Sequence, residues 1–160
     1  MITDFEKAFA VLSDSKIQFI VVGGVAATLH GSARVTFDLD LVYARNRGNI
    51  SRLAGALRPY APYLRGAPAG LPFVWDDKTI RSGLNFTLDT SFGPLDLLGE
   101  IAGGGTYENL LPHSKEVAAF GIKLRLLDLD KLIVVKRAAG RVKDYEALAE
   151  LQGILDRRKQ

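Results

Sequence analysis

Apolar residues recur along this chain in two rhythms, and the change from one to the other marks its elements. Phe5, Ala8, Phe9 and Leu12 stand at helical spacing, which predicts a helix over residues 3–13 with Thr3 as N-cap and Glu6 three residues later. Ile17 to Val22 is β-branched and aromatic apart from Gln18, the composition of a buried central strand. Gly23-Gly24 ends that strand, and Val25 to His30 follows as a short apolar helix closed by Gly31. From Val35 to Tyr43 the pattern alternates. Val35, Phe37, Leu39 and Leu41 fall on one face and Thr36, Asp38, Asp40 and Val42 on the other, so this segment reads as a strand with one face in the core.

Ile50 to Leu57 returns to helical spacing. Residues 59–72 hold four of the six prolines and read as a long loop. Asn85 to Asp89 and Leu95 to Leu98 are strand-like and joined through Thr90 to Pro94 as a hairpin. Gly103-Gly104-Gly105 reads as a flexible loop before a short helix over 107–111. Val117 to Phe120 and Ile122 to Leu127 flank Gly121 as a second hairpin. Leu129 to Ala138 and Asp144 to Leu155 are two helices split by Gly140, with Asp144 placed to cap the second. The order predicts an α+β fold: a mixed, mostly antiparallel sheet flanked by helices, with a C-terminal helical pair. A chain of 160 residues suits one domain, with a sheet core over 1–127 and helices over 128–160 packed on it.

Composition adds exclusions. Hydrophobic residues make up 48% and charged residues 24%, enough for a core and against global disorder. The longest apolar run, Phe19 to Ala27, contains two glycines and is far too short to span a membrane, so no membrane partner is expected. Asp4 and Glu6 stand where a signal peptide would be basic, and a cytoplasmic location is the expectation; the absence of cysteines excludes disulfides and thiolate metal sites and is neutral about compartment. The net charge of +3 resides in residues 130–160, where it could face a polyanion or belong to a solvated helix and basic tail.

The candidate chemistry lies in the first half. Asp38 and Asp40, two apart in a strand, point the same way about 7 Å apart. Two carboxylates on a half-buried face repel one another, and a divalent cation is the usual compensation. A diglycine between a buried strand and a short helix can bring bare backbone amides against phosphate oxygens. Asp96, in Leu95-Asp96-Leu97, points away from its apolar neighbours and has no obvious partner there.

Val21-Val-Gly-Gly-Val-Ala-Ala-Thr-Leu-His-Gly31 followed by Arg34-Val-Thr-Phe-Asp-Leu-Asp-Leu41 resembles the start of the polymerase-β-like nucleotidyltransferase superfamily. The resemblance is nearest to its small bacterial branches of AbiEii-like and MenA-type toxin nucleotidyltransferases. Gly93-Pro-Leu-Asp-Leu-Leu-Gly-Glu-Ile101 resembles the strand of the third carboxylate, and Leu129 to Asp144 resembles the C-terminal lysine and aspartate segment of the AbiEii-like group. This implies a nucleoside triphosphate substrate and two Mg2+ ions, or Mn2+, held by Asp38, Asp40 and Asp96, which are also the catalytic residues; Asp89 is the rival for the third position and Glu100 a weaker one. It implies nucleotide contacts from Gly23, Gly24, Arg34, Lys136 and Asp144. Val25 departs from a position that often carries a hydroxyl. Neither His30 nor His113 fits as a metal ligand; His30 suits a helix-end cap. Trp75 suits core packing better than base stacking.

The function so implied is transfer of a nucleotidyl group to a macromolecule, a tRNA or a protein, with a partner protein if the setting is a toxin–antitoxin pair. The alternatives are a catalytically weak or inactive nucleotide- or RNA-binding module and, third, a transferase acting on an aminoglycoside or sugar.

Overall fold

The computed structural model describes residues 1–160. In chain order the elements are α1 (Phe5–Asp14), β1 (Phe19–Val22), α2 (Gly23–Leu29), β2 (Leu39–Tyr43), α3 (Arg47–Leu57), β3 (Tyr63–Leu64), α4 (Asp77–Ser82), β4 (Asn85–Thr90) and β5 (Gly93–Leu98). The chain continues through β6 (Glu100–Ile101), β7 (Gly105–Thr106), α5 (Tyr107–Leu110), β8 (Ser114–Ala119), β9 (Ile122–Leu127), α6 (Leu129–Ala139) and α7 (Val142–Arg158). Seven strands form one sheet in the order β3-β4-β5-β2-β1-β9-β8, and β6 pairs with β7 separately. β1–β9 and β2–β5 are parallel and the other pairs antiparallel, so the fold is α+β with a mixed sheet. All four residues of β1 are buried, as expected of a central strand without polar positions. Residues from α6 and α7, including Leu132, Ile133, Leu151 and Ile154, join the same apolar cluster as β1.

One buried amide fixes the frame around the sheet centre. Asn49 is fully buried; its side chain accepts from the Gln18 amide at 2.7 Å and donates to the carbonyls of Ala44 (2.7 Å) and Gln18 (3.1 Å). It thereby ties α3 to the start of β1 and the end of β2. Trp75 is buried and packs edge-on against Phe86 with ring centroids 5.5 Å apart, the core role expected of it.

Several local expectations are corrected. The strand expected from Val35 begins only at Leu39, because β1–β2 pairing stops at Val22 opposite Asp40, where β1 turns into α2. Residues before Leu39 have no β1 backbone to pair with, and Val35 and Phe37 are exposed rather than in the core. The N-cap of α1 is Asp4, whose side chain accepts from the Lys7 amide, and not Thr3. Thr3 is buried and stitched to the sheet, its amide donating to Phe37 O and its hydroxyl to Pro94 O. Gly103 and Gly105 bend a small hairpin rather than a free loop. Gly103, at φ +74, lies where a Cβ would strike Ala138 on α6. The proline-rich segment contains an unexpected edge strand, β3, held by pairing with β4 and by Arg65 N–H donating to Thr87 O. Asp144 is not the N-cap of α7 but sits three residues past it and reaches back to the Arg141 amide.

Candidate active site

Asp40 lies at the C-terminal end of the β1–β2 pairing, opposite Val22, with Asp96 its partner across the parallel β2–β5 ladder. Asp38 lies just before β2, so the β2–β5 register accounts for Asp40 beside Asp96, but strand alternation does not account for Asp38. Gly23 and Gly24 form the first turn of α2, and the absence of side chains there has a steric cause. Gly23 has φ +67, and a Cβ on it would overlap the Asp40 carboxylate; a Cβ on Gly24 would collide with the Thr36 hydroxyl. The diglycine is therefore the space into which β2 and its approach are packed.

A cleft of about 280 Å3 opens beside this turn. Gly23, Gly24, Arg34, Asp38, Asp40, Lys136 and Asp144 all line it. Asp96 lies one strand further on and is not part of that lining. Thr36, Phe37, Arg141 and Lys143 also line it, although their sequence pattern marks Phe37 as core and the two cations as solvated. Phe37 escaped because strand alternation assigned it to the core; its 53% exposure at the cleft is the residue's observed state. A second cleft, of about 250 Å3, backs onto the same wall. It shares Gly23, Asp40, Lys136, Arg141 and Asp144 with the first, and Leu98, Ile101, Leu132 and Val135 make it more apolar.

Electrostatically the site is a crowded set of carboxylates faced by cations. Burial, followed by repulsion from Asp96 and Asp38, pushes the Asp40 carboxyl up to about 7, against a weaker pull from Lys143. Burial also lowers the Lys136 ammonium, and the charges of Asp144 and Asp40 only partly offset it. Burial would raise the Asp144 carboxyl, but Arg141 holds it below the ordinary range. Arg141 Nε donates to Oδ2 at 2.6 Å and Nη2 to Oδ1 at 3.1 Å. Asp144 thus positions Arg141 at the cleft. Arg34 is exposed and pairs with Glu146 at 3.4 Å.

Arg65, which no sequence feature marked, sits among the acids. Its guanidinium lies 2.9 Å from Asp96, 3.2 Å from Asp89 and 3.7 Å from Asp38, and it donates to Leu88 O at 2.6 Å. Asp96 Oδ1 is sealed from solvent and, despite that 2.9 Å contact, accepts no aligned hydrogen bond. Asp89 is exposed at the rim and Glu100 lines only the second cleft, so Asp96 is the carboxylate adjacent to Asp40. No three carboxylate or imidazole groups are gathered where they could hold a metal ion among themselves, so an ion here would need phosphate oxygens or water to complete its coordination.

Val25 points into the core, so a hydroxyl there would not reach the cleft; Gly24 and Thr36 occupy the corresponding wall. His30 is the C-cap residue of α2. Its Nε2 donates to Leu127 O at 2.7 Å and its Nδ1 accepts from Arg158 at 3.1 Å, and burial pushes the imidazole down. His113 is exposed on a short helical turn. No helix is long and apolar enough to cross a membrane.

These elements and their order are those of the nucleotidyltransferase fold, a class the structural comparisons define. The lincosamide antibiotic adenylyltransferase LnuA, in its lincomycin-bound crystal structure, superposes with a TM-score of 0.62. At 14% identity, the match covers 96% of this chain and 98% of that one. A nucleotidyltransferase-like protein from Thermotoga maritima, TM1012, gives a TM-score of 0.59 at 15% identity over 93% of this chain and 90% of its own. No protein-family model and no curated protein matches the sequence.

Proposed function

We propose that the chain transfers a nucleoside monophosphate group from a nucleoside triphosphate to an acceptor hydroxyl. The observation that carries this reading is the packing of Asp40 against bare Gly23 at the head of a cleft whose far wall is cationic. The amides of Gly23 and Gly24 and the side chains of Arg34, Lys136, Lys143 and Arg141 supply donors and positive charge for a triphosphate. Asp38 and Asp40 offer hard oxygen donors whose mutual repulsion a cation would relieve. They fit Mg2+, or Mn2+, with Asp96 as the third carboxylate. When bound, such an ion supplies charge for the phosphoryl oxygens and acidifies the acceptor hydroxyl. In the transfer the hydroxyl oxygen bonds the α-phosphorus, the bond to the pyrophosphate bridging oxygen breaks, and the hydroxyl proton passes to a carboxylate of the site. Exposed Phe37 at the cleft gives the nucleobase a stacking surface.

The acceptor we propose is a macromolecule, a tRNA or a protein, in keeping with the resemblance to AbiEii-like toxins. A small acceptor is the second reading, favoured by the compact, partly apolar second cleft that shares Asp40 with the first. Labelled nucleoside triphosphates with Mg2+ are incubated with total tRNA, with lysate, or with a panel of aminoglycosides and lincosamides. Label in a macromolecule supports the first reading, and label only in a small product supports the second. Equal labelling by wild type and the Asp38→Ala/Asp40→Ala chain would remove both. In a toxin–antitoxin setting, expression slows growth and the double substitution relieves it.

A further inference from the structure

We infer that Arg65 takes the place of one of the two cations, so that the site holds a single divalent ion at Asp38 and Asp40. The inference rests on the transferase reading above and sharpens it. A site with three carboxylates would ordinarily be balanced by two ions about 3.5–4 Å apart, each drawing on more than one acid. Here the carboxylates do not converge on one point. A guanidinium stands between them instead, within ion-pair reach of both Asp96 (2.9 Å) and Asp38 (3.7 Å).

Arg65 is not a surface arginine that happens to lean inward. Its backbone amide donates to Thr87 O at the edge of the sheet, one residue beyond the β3–β4 pairing. Its side chain donates to Leu88 O at 2.6 Å and to Asp89 at 3.2 Å, leaving the planar fork oriented along β4 toward Asp96. Strand pairing at one end and two hydrogen bonds at the other hold the charge with little freedom left to lose. Asp96, directly across the ladder from Asp40, has an oxygen shut off from solvent, and the neighbouring cation it meets is this one. Asp40 has no ion-pair contact with Arg65 or with any other cation of the chain. The division of labour follows: Arg65 neutralises the Asp96 side, and one divalent ion neutralises the Asp40 side.

Electron paramagnetic resonance of protein-bound Mn2+ reads this directly, because two ions at that separation couple magnetically and a lone ion does not. Mn2+ is titrated into the full chain with excess α,β-methylene nucleoside triphosphates of all four bases. Wild type should give only an uncoupled, mononuclear signal. Arg65→Gln, which removes the charge, should admit a second ion and give the coupled signal. Arg65→Lys should stay mononuclear, and Arg65→Gln combined with Asp96→Asn should revert to it. Thermal melts confirm that each chain is folded before it is measured, and the Lys variant keeps a comparison if the Gln variant is not. A coupled signal in wild type, or a mononuclear one in folded Arg65→Gln, overturns the inference while leaving the transferase reading intact. No protein-bound Mn2+ in any chain overturns both.

Discussion

At Asp40, burial and two neighbouring carboxylates act on one group. Its carboxyl titrates near 7 in the folded chain and near 3.8 when unfolded. Between those values the folded state holds a proton that the unfolded state has released, so stability falls as pH rises through that window and levels off above it. Without divalent ions, the wild-type melting temperature should therefore drop from pH 5 to pH 8 relative to Asp40→Asn. The Asn chain should melt higher than wild type at pH 8, by about 2–4 °C for each kcal/mol recovered. His30, whose imidazole burial holds down, pulls the other way, losing stability as pH falls, but it does so in both chains and cancels in the comparison. Equal pH slopes in wild type and Asp40→Asn would contradict the placement of this carboxylate. At the cleft mouth, Phe37→Ala should raise KM for the nucleotide about fivefold or more with little change in kcat. That is the loss expected from about 1 kcal/mol of base stacking, and steady-state kinetics check it.

At the scale of elements, the sequence foretold those whose apolar pattern reports burial, and misjudged those set by partners distant in the chain. β1, the β4–β5 and β8–β9 hairpins, α3 and α6 could be read from periodicity and turn residues. In the second hairpin Phe120 and Gly121 both adopt positive φ, as a tight two-residue turn requires. Residues 35–38 carried the alternation of a strand without its hydrogen bonds, since the diglycine turn takes the neighbouring backbone away. β3 has no such pattern at all: it exists because β4 offers an edge. The same long-range dependence makes Asn49 structurally decisive. Asn49→Ala should cost about 2–4 kcal/mol, because it leaves the Gln18 amide and the Ala44 carbonyl without partners, while the Gln18 carbonyl keeps the Ala44 amide. Chemical denaturation measures it, and a loss below about 1 kcal/mol would show that water takes those groups over.

Over the whole molecule, the sequence named seven residues that line one cleft, together with Asp96 beside it, but gave no role to Arg65 and left Arg141 and Lys143 as solvated cations of the C-terminal helices. Arg65 meets acids 24 or more residues away, so nothing local marks which it will face; Arg141 has its partner Asp144 three residues on, and only the packing of α7 beside the cleft brings that pair and Lys143 to it. The structure also redistributes the C-terminal positive charge that suggested a polyanion. Lys136, Arg141 and Lys143 line the cleft, and Arg158 is spent on His30, leaving Lys131, Arg137, Arg157 and Lys159 outside both arrangements. The nucleotide proposed for the cleft would account for part of that charge before any RNA is invoked. The most direct test of the central claim compares nucleoside triphosphates labelled at the α- or the γ-phosphate, incubated with the chain, Mg2+ and lysate. Nucleotidyl transfer predicts acceptor labelling from the α-label alone, with the γ-label appearing only in pyrophosphate, and no labelling by Asp38→Ala/Asp40→Ala. Acceptor labelled from the γ-position, or α-labelling that survives loss of both aspartates, would contradict it.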